Sequence, residues 1–169
     1  MRKILFVCSF IFAFYSYGQN NIEISLQQDT RLLLVGDQKG NYPLTTNLLS
    51  KLEIPVYALE KSYFSAYASV EYADLVGKNY KRFSLGAGYI VDSIYKKIGG
   101  GVYLDFGKIY RQQEGFYSFS LSGELNYKIN DRLKVICTQQ LTQRQDLKAL
   151  YNSKNEYIIS GFVGLKYRL

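Results

Sequence analysis

The sequence predicts an all-β protein: an eight-stranded antiparallel up-and-down (meander) transmembrane β-barrel. Three observations lead there. Apolar residues recur with a period of two along eight segments, which is the period of a strand and not of a helix. The opposite face of those segments is mainly Gly, Ser and Tyr with isolated charges, and the connections alternate between short and long. Composition agrees. The 169 residues are 47% hydrophobic and 21% charged, which argues against a disordered chain, and their number suits one domain with a sizeable core.

The first eighteen residues read as an address. Arg2 and Lys3 precede an uncharged apolar run from Ile4 to Phe14, and Ser16 and Gly18 supply small residues before Gln19. This is the layout of a secretory signal peptide over 1–18, with a single barrel domain over 19–169. The apolar run is too short for a spanning helix, which needs roughly 20 residues. Cleavage removes two of the twenty-one basic residues and no acidic one. The net charge falls from +7 to +5, and Cys137 remains as the lone cysteine, so no internal disulfide forms. The basic residues are scattered. Anionic lipid or surface polysaccharide is therefore a better match than nucleic acid for an exported chain.

The strands follow in order. Ile22, Ile24 and Leu26 alternate with Glu23, Ser25 and Gln27, and extended chain is expected as far as Val35. Leu52, Ile54, Val56 and Ala58 form a second run, interrupted by Pro55, which cannot donate a ladder hydrogen bond. Clean alternation covers 63–74, 80–91, 98–108 and 116–129. The segment Leu133, Val135 and Cys137 loses its pattern in the Gln-rich stretch 139–145, whereas Tyr157 to Leu169 alternates to the end. Short turns are expected at 60–62, 92–97 and 130–132, and long loops at 36–51 and 146–156. In a meander the short turns share one end with both termini, and the long loops share the other.

Alternation alone fits a soluble barrel with its apolar face inward or a membrane barrel with that face outward. The polar face decides. Small residues suit the narrow interior of eight strands. The apolar face is almost free of charge, and its tyrosines (Tyr89, Tyr117, Tyr127, Tyr157 and Tyr167) fall near strand ends, where interfacial belts form. The inward charges are then lumen ion pairs drawn from Glu23, Glu71, Arg82, Asp105, Glu124, Lys166 and Arg168. Glu71 is expected to face Arg82, Glu23 to approach Lys166 or Arg168, and Asp105 to lie near Ser120.

These features resemble the small eight-stranded outer-membrane barrels, the group that includes the transmembrane domain of outer membrane protein A. The likeness spans the whole mature chain, and its end carries Tyr167 at the third position from the terminus. Such barrels usually end in Phe; this chain ends in Leu169. The resemblance implies outer-membrane lipid and the barrel-assembly machinery as partners, with Tyr167 and Leu169 as the assembly signal.

Function is less legible. With no histidine, Ser-His-Asp and Cys-His catalysis and the H-E-x-x-H zinc site are excluded. Lipid A deacylases and acyltransferases built on small barrels rely on His, so the expectation is that the chain is not an enzyme and holds no metal or cofactor. Gly99-Gly100-Gly101 lacks the Lys and the helix of a phosphate loop and reads as tight strand packing. Cys137 lies on the apolar face as a small hydrophobe. The working surface is expected to be the long loops, with Tyr42 and Tyr151 as contacts for a surface protein, polysaccharide or phage. Two other readings stand beside it: a soluble periplasmic lipocalin-like lipid-binding barrel, and a barrel component of a larger export, conjugation or motility assembly.

Overall fold

A computed structural model describes residues 22–37, 40–76 and 79–169. The expected signal peptide, 1–18, lies outside the described residues. Eight strands follow one another: β1 (Glu23–Asp29), β2 (Asn47–Ala58), β3 (Ser62–Ala73), β4 (Tyr80–Tyr95), β5 (Ile98–Arg111), β6 (Glu114–Lys128), β7 (Leu133–Gln143) and β8 (Tyr157–Arg168). Each pairs antiparallel with its neighbour in sequence, and β1 pairs with β8 to close the barrel. Closure leaves no sheet edge, the condition a sheet must meet in hydrocarbon, which offers no hydrogen-bond partners. No described helix is long and apolar enough to cross a membrane.

The apolar face points outward. Leu85 is 72% exposed, Phe106 and Leu125 60% each, while Ser118, Ser120, Thr138 and Lys166 on the other face are buried. A lipocalin-like barrel needs the reverse, so the soluble reading is set aside. The start of β1, the end of β8 and the turns 59–61, 96–97 and 129–132 lie at one end, the termini end; the long connections lie at the other. Tyr89 and Phe64 pack at 5.1 Å on the outer wall toward the termini end. Phe106 and Tyr117 stack at 5.6 Å nearer the loop end.

Several boundaries differ from expectation, each for a local reason. β1 stops at Asp29 instead of running on to Val35. The Asp29 carboxylate accepts the Leu32 N–H at 2.8 Å and so caps a short helix, α1 (Thr30–Leu34). Gln28 and Thr30, which would otherwise face lipid, are thereby satisfied: the Gln28 amide donates to the Thr45 carbonyl and the Thr30 hydroxyl to the Gly161 carbonyl. β2 begins at Asn47, five residues before the expected run, and accommodates Pro55 at a register shift between Pro55 and Tyr57. β5 and β6 meet at Gln112-Gln113, both with positive φ (53° and 69°), the backbone of a two-residue hairpin turn. β7 extends to Gln143, so most of the Gln-rich stretch is strand, with Gln140 and Thr142 inward. The second loop holds a helix, α2 (Gln145–Tyr151), ended by Asn152 in the left-handed conformation.

Candidate functional site

The interior is layered from the termini end upward. In the lowest layer Glu23 accepts from Lys134 Nζ at 2.8 Å and from Arg168 Nε and Nη2 at 3.1 and 2.9 Å. Asp92 stands 3.6 Å from Lys134. Above it, Lys166 donates to Glu124, to Glu53 at 3.3 Å and to the Tyr103 hydroxyl at 3.3 Å. Tyr63 and Tyr103 donate to the two oxygens of Glu53, and Lys51 lies 3.6 Å from Glu124 and 4.4 Å from the Tyr103 ring centroid. Among the described residues, four cations (Lys51, Lys134, Lys166, Arg168) thus meet four carboxylates (Glu23, Glu53, Asp92, Glu124). Matched numbers are what a buried charge cluster requires, since one uncompensated ion in low dielectric costs several kcal/mol, roughly 3–5 when a partner is removed.

The next layer belongs to Arg82. Its guanidinium pairs with Asp105 and donates from Nε to Ser118 Oγ at 3.0 Å; Tyr67 donates to the other Asp105 oxygen at 2.8 Å. Glu71 does stand opposite Arg82 in register, yet the guanidinium reaches past it to Asp105. The length of the arginine carries it over Ser84, which accepts from Nη1 at 3.4 Å and is bonded to Ser69 at 2.6 Å, to Asp105 on β5 and Ser118 on β6. Glu71 instead accepts from Tyr80 at 3.2 Å. Asp105 lies opposite Ser120 in register.

Above Arg82 the barrel opens into a vestibule of about 1260 Å³ at the loop end. Its walls mix Asp29, Asn47, Glu71 and Arg111 with Leu32, Leu147, Ile158 and Ile159. α2 forms part of the wall and is fastened there by Asp146, which is buried. Arg144 grips its carboxylate with Nε and Nη2, both at 2.8 Å, and Arg111 reaches it at 3.4 Å. Arg144 also covers the Tyr80 ring at 4.1 Å. Burial alone would raise the Asp146 pKa, but the hydrogen bonds and charge of Arg144, with the charge of Arg111, outweigh it and hold the carboxyl below its ordinary range. A depressed carboxylate contributes stability above its unfolded value, about pH 4, and loses it as pH falls through the folded value. The protection factors of the α2 amides, that is, exchange rates referred to the intrinsic rate at each pH, should therefore fall on acidification below about pH 4 in the native protein. The D146N variant, already loosened at neutral pH, should lack that acid-dependent step. Equal acid responses would show that the clamp does not hold the helix.

The two expected contact tyrosines lie in different settings. Tyr42 is 79% exposed, whereas Tyr151 packs under Arg111 at 4.8 Å and its hydroxyl accepts from Gln112. Tyr167 and Leu169 are on the outer face at the termini end. Lys51, Glu53, Lys134, Arg111, Arg144 and Asp146 join the interior without having been singled out from the sequence. The parity signal existed for three of them: Lys51 and Glu53 alternate with Leu52 and Ile54, and Lys134 falls between Leu133 and Val135. No group of three or more His, Cys, Asp or Glu among the described residues is placed to hold a metal ion.

A closed eight-stranded meander with an apolar exterior and an ion-paired lumen defines the class of small outer-membrane β-barrels. No protein-family model matches the chain, and no curated protein matches it in sequence. Solved structures do. The backbone is similar to that of the Yersinia pestis outer membrane protein Ail in a phospholipid bilayer nanodisc, with a TM-score of 0.53 and 11% identity over 89% of this chain and 100% of Ail. The crystal structure of Ail, the attachment invasion locus protein of Yersinia pestis, gives 0.50 and 12% over 89% and 97%. The outer membrane enzyme PagL gives 0.51 and 9% over 88% and 99%. At such identities the likeness is one of fold. It nonetheless corrects the expectation that this chain is not an enzyme, because PagL is an enzyme on the same scaffold. Missing histidine excludes histidine-dependent arrangements; the architecture does not exclude catalysis.

Proposed function

We propose that this outer-membrane barrel works at its loop end, engaging a surface polysaccharide or protein through the connections 35–46 and 144–156, which bound the expected loops once β2 is seen to begin at Asn47, over a lumen that does not conduct. One observation carries the reading: the mid-barrel is filled by paired charges and tyrosines, while the loop end opens into a vestibule lined in part by Asn41 and Tyr151, with the neighbouring Tyr42 exposed. Charges matched in such a plug hold side chains across the bore, and aromatic loop residues supply contact area at low entropic cost. Tyr167 and Leu169 remain the candidate assembly signal of the final strand.

The test joins two measurements. Barrel inserted in planar bilayers should show no steady conductance. Barrel in nanodiscs should bind intact producer cells, and the Y42A/Y151A variant should bind roughly tenfold more weakly or worse. Loss of binding after protease treatment of the cells identifies a protein partner, and persistence identifies a polysaccharide. A steady large channel, or undiminished binding by the variant, sinks the proposal.

A further inference from the structure

On the outer wall of β3 to β6, the lipid-facing residues of the ladders carry two charges, Lys81 and Lys108. Both lie near the loop end. Lys81 sits between Tyr72 on β3 and Tyr110 on β5 in one cross-strand row, and Lys108 pairs with Tyr117 in the next row down. Neither makes an ion pair among the described residues. Their contacts are aromatic: Lys81 Nζ is 5.9 Å from the Tyr72 ring centroid, and Lys108 Nζ is 5.5 and 5.8 Å from those of Tyr110 and Tyr117.

Lys108 runs over a glycine. A Cβ on Gly115 would lie 2.3 Å from Lys108 Cε, so the lysine stem runs over Gly115, which occupies the row of Lys81 and Tyr110. The stem thus climbs from its own row toward the loop end, the snorkelling expected of a lysine rooted in an apolar surface. The Lys108 stem thereby reaches the row of Lys81, so that the two lysines stand on either side of Tyr110, within an aromatic belt of the kind that marks a headgroup boundary.

We propose that Lys81 and Lys108 form a lateral binding site for the phosphate of a lipid headgroup in the leaflet at the loop end. Tyr72, Tyr110 and Tyr117 hold the cations, and the lipid's acyl chains lie down the apolar wall beneath them. Charge complementarity selects the occupant. Two uncompensated cations face the membrane at headgroup depth, where an anionic phosphate is available and a zwitterionic headgroup offers less net attraction. The site depends on the outer face being in lipid and is independent of what the loops engage.

Native mass spectrometry of the detergent-solubilised full barrel tests it, with diphosphorylated lipid A, dephosphorylated lipid A and phosphatidylcholine as probes. The phosphorylated lipid should be retained in preference to the other two. K81Q and K108Q should each lower its retention roughly fivefold, and K81R/K108R should keep it. Heat-shifted gel mobility reports whether each variant is folded. G115A keeps both charges but displaces Lys108, and its reduced retention serves as the reading if the glutamine variants fail to fold. Equal retention of the dephosphorylated lipid, native-like retention by K81Q/K108Q or by G115A, or binding of inorganic phosphate as tight as that of the lipid would each overturn the site.

Discussion

Replacing Lys166 with glutamine is expected to lower the unfolding free energy by about 3–5 kcal/mol, read as a shift in the urea midpoint of barrel reconstituted in vesicles. Among the described residues, Lys166 is the one cation within 4.0 Å of three carboxylates, Glu23, Glu53 and Glu124. A neutral amide there leaves Glu124 with Lys51 as its one cation within 4.0 Å among the described residues and strips Glu53 of its ammonium donor. The combined variant E124Q/K166Q should recover much of the loss, because the count of cations and anions is again equal. A K166Q shift below about 1 kcal/mol would mean that solvent screens the cluster as it does surface pairs.

Arg82 predicts a second large effect with a different signature. R82M should cost about 3–5 kcal/mol, since it leaves Asp105 charged and enclosed with Tyr67 as its remaining donor. Removing both charges in R82M/D105L should restore the greater part, the behaviour of ion pairs replaced by apolar side chains of similar volume. The residual loss should be about 1–3 kcal/mol, from the Tyr67 hydroxyl, which loses its acceptor, and from Ser118, which keeps its bond to the Gln143 carbonyl but loses the one from Arg82. If the double variant is no more stable than R82M, the hydroxyl network and not the ion pair holds this layer.

The barrel was legible because a membrane wall imposes a strict alternation that nothing else disturbs. Phe83, Leu85, Ala87 and Tyr89 must all face lipid, and every second residue must then face the lumen. Legibility failed where a side chain replaced the ladder as hydrogen-bond partner. Asp29 ends β1 by capping α1, a choice between strand and cap that periodicity cannot see. The charged layers were half legible. Position gave the face of Arg82 and Asp105, but a side chain as long as arginine can reach past its cross-strand neighbour, so a partner on β5, four residues from the position opposite Arg82, was not implied by the register with Glu71 on β3. The vestibule was out of reach, because it is made by α1, α2 and the Asp146 clamp at the loop end, where no strand rule applies.

The strands differ widely in length. β4, β5 and β6 run 16, 14 and 15 residues, against seven in β1, which pairs through six positions with β2 and seven with β8. At roughly 2.5 Å of height per tilted residue, the long strands reach past a 25 Å apolar band, and β1 falls short of it. Hydrocarbon must be matched around the whole circumference. The expected response is a bilayer that thins beside β1, or a barrel that leans until its tall side crosses the membrane obliquely. Either response gives the protein a sidedness in the plane of the membrane: one flank compresses lipid and the other does not. Neighbouring molecules would then meet it from preferred directions, so the shape of the wall orders its surroundings before any loop makes contact.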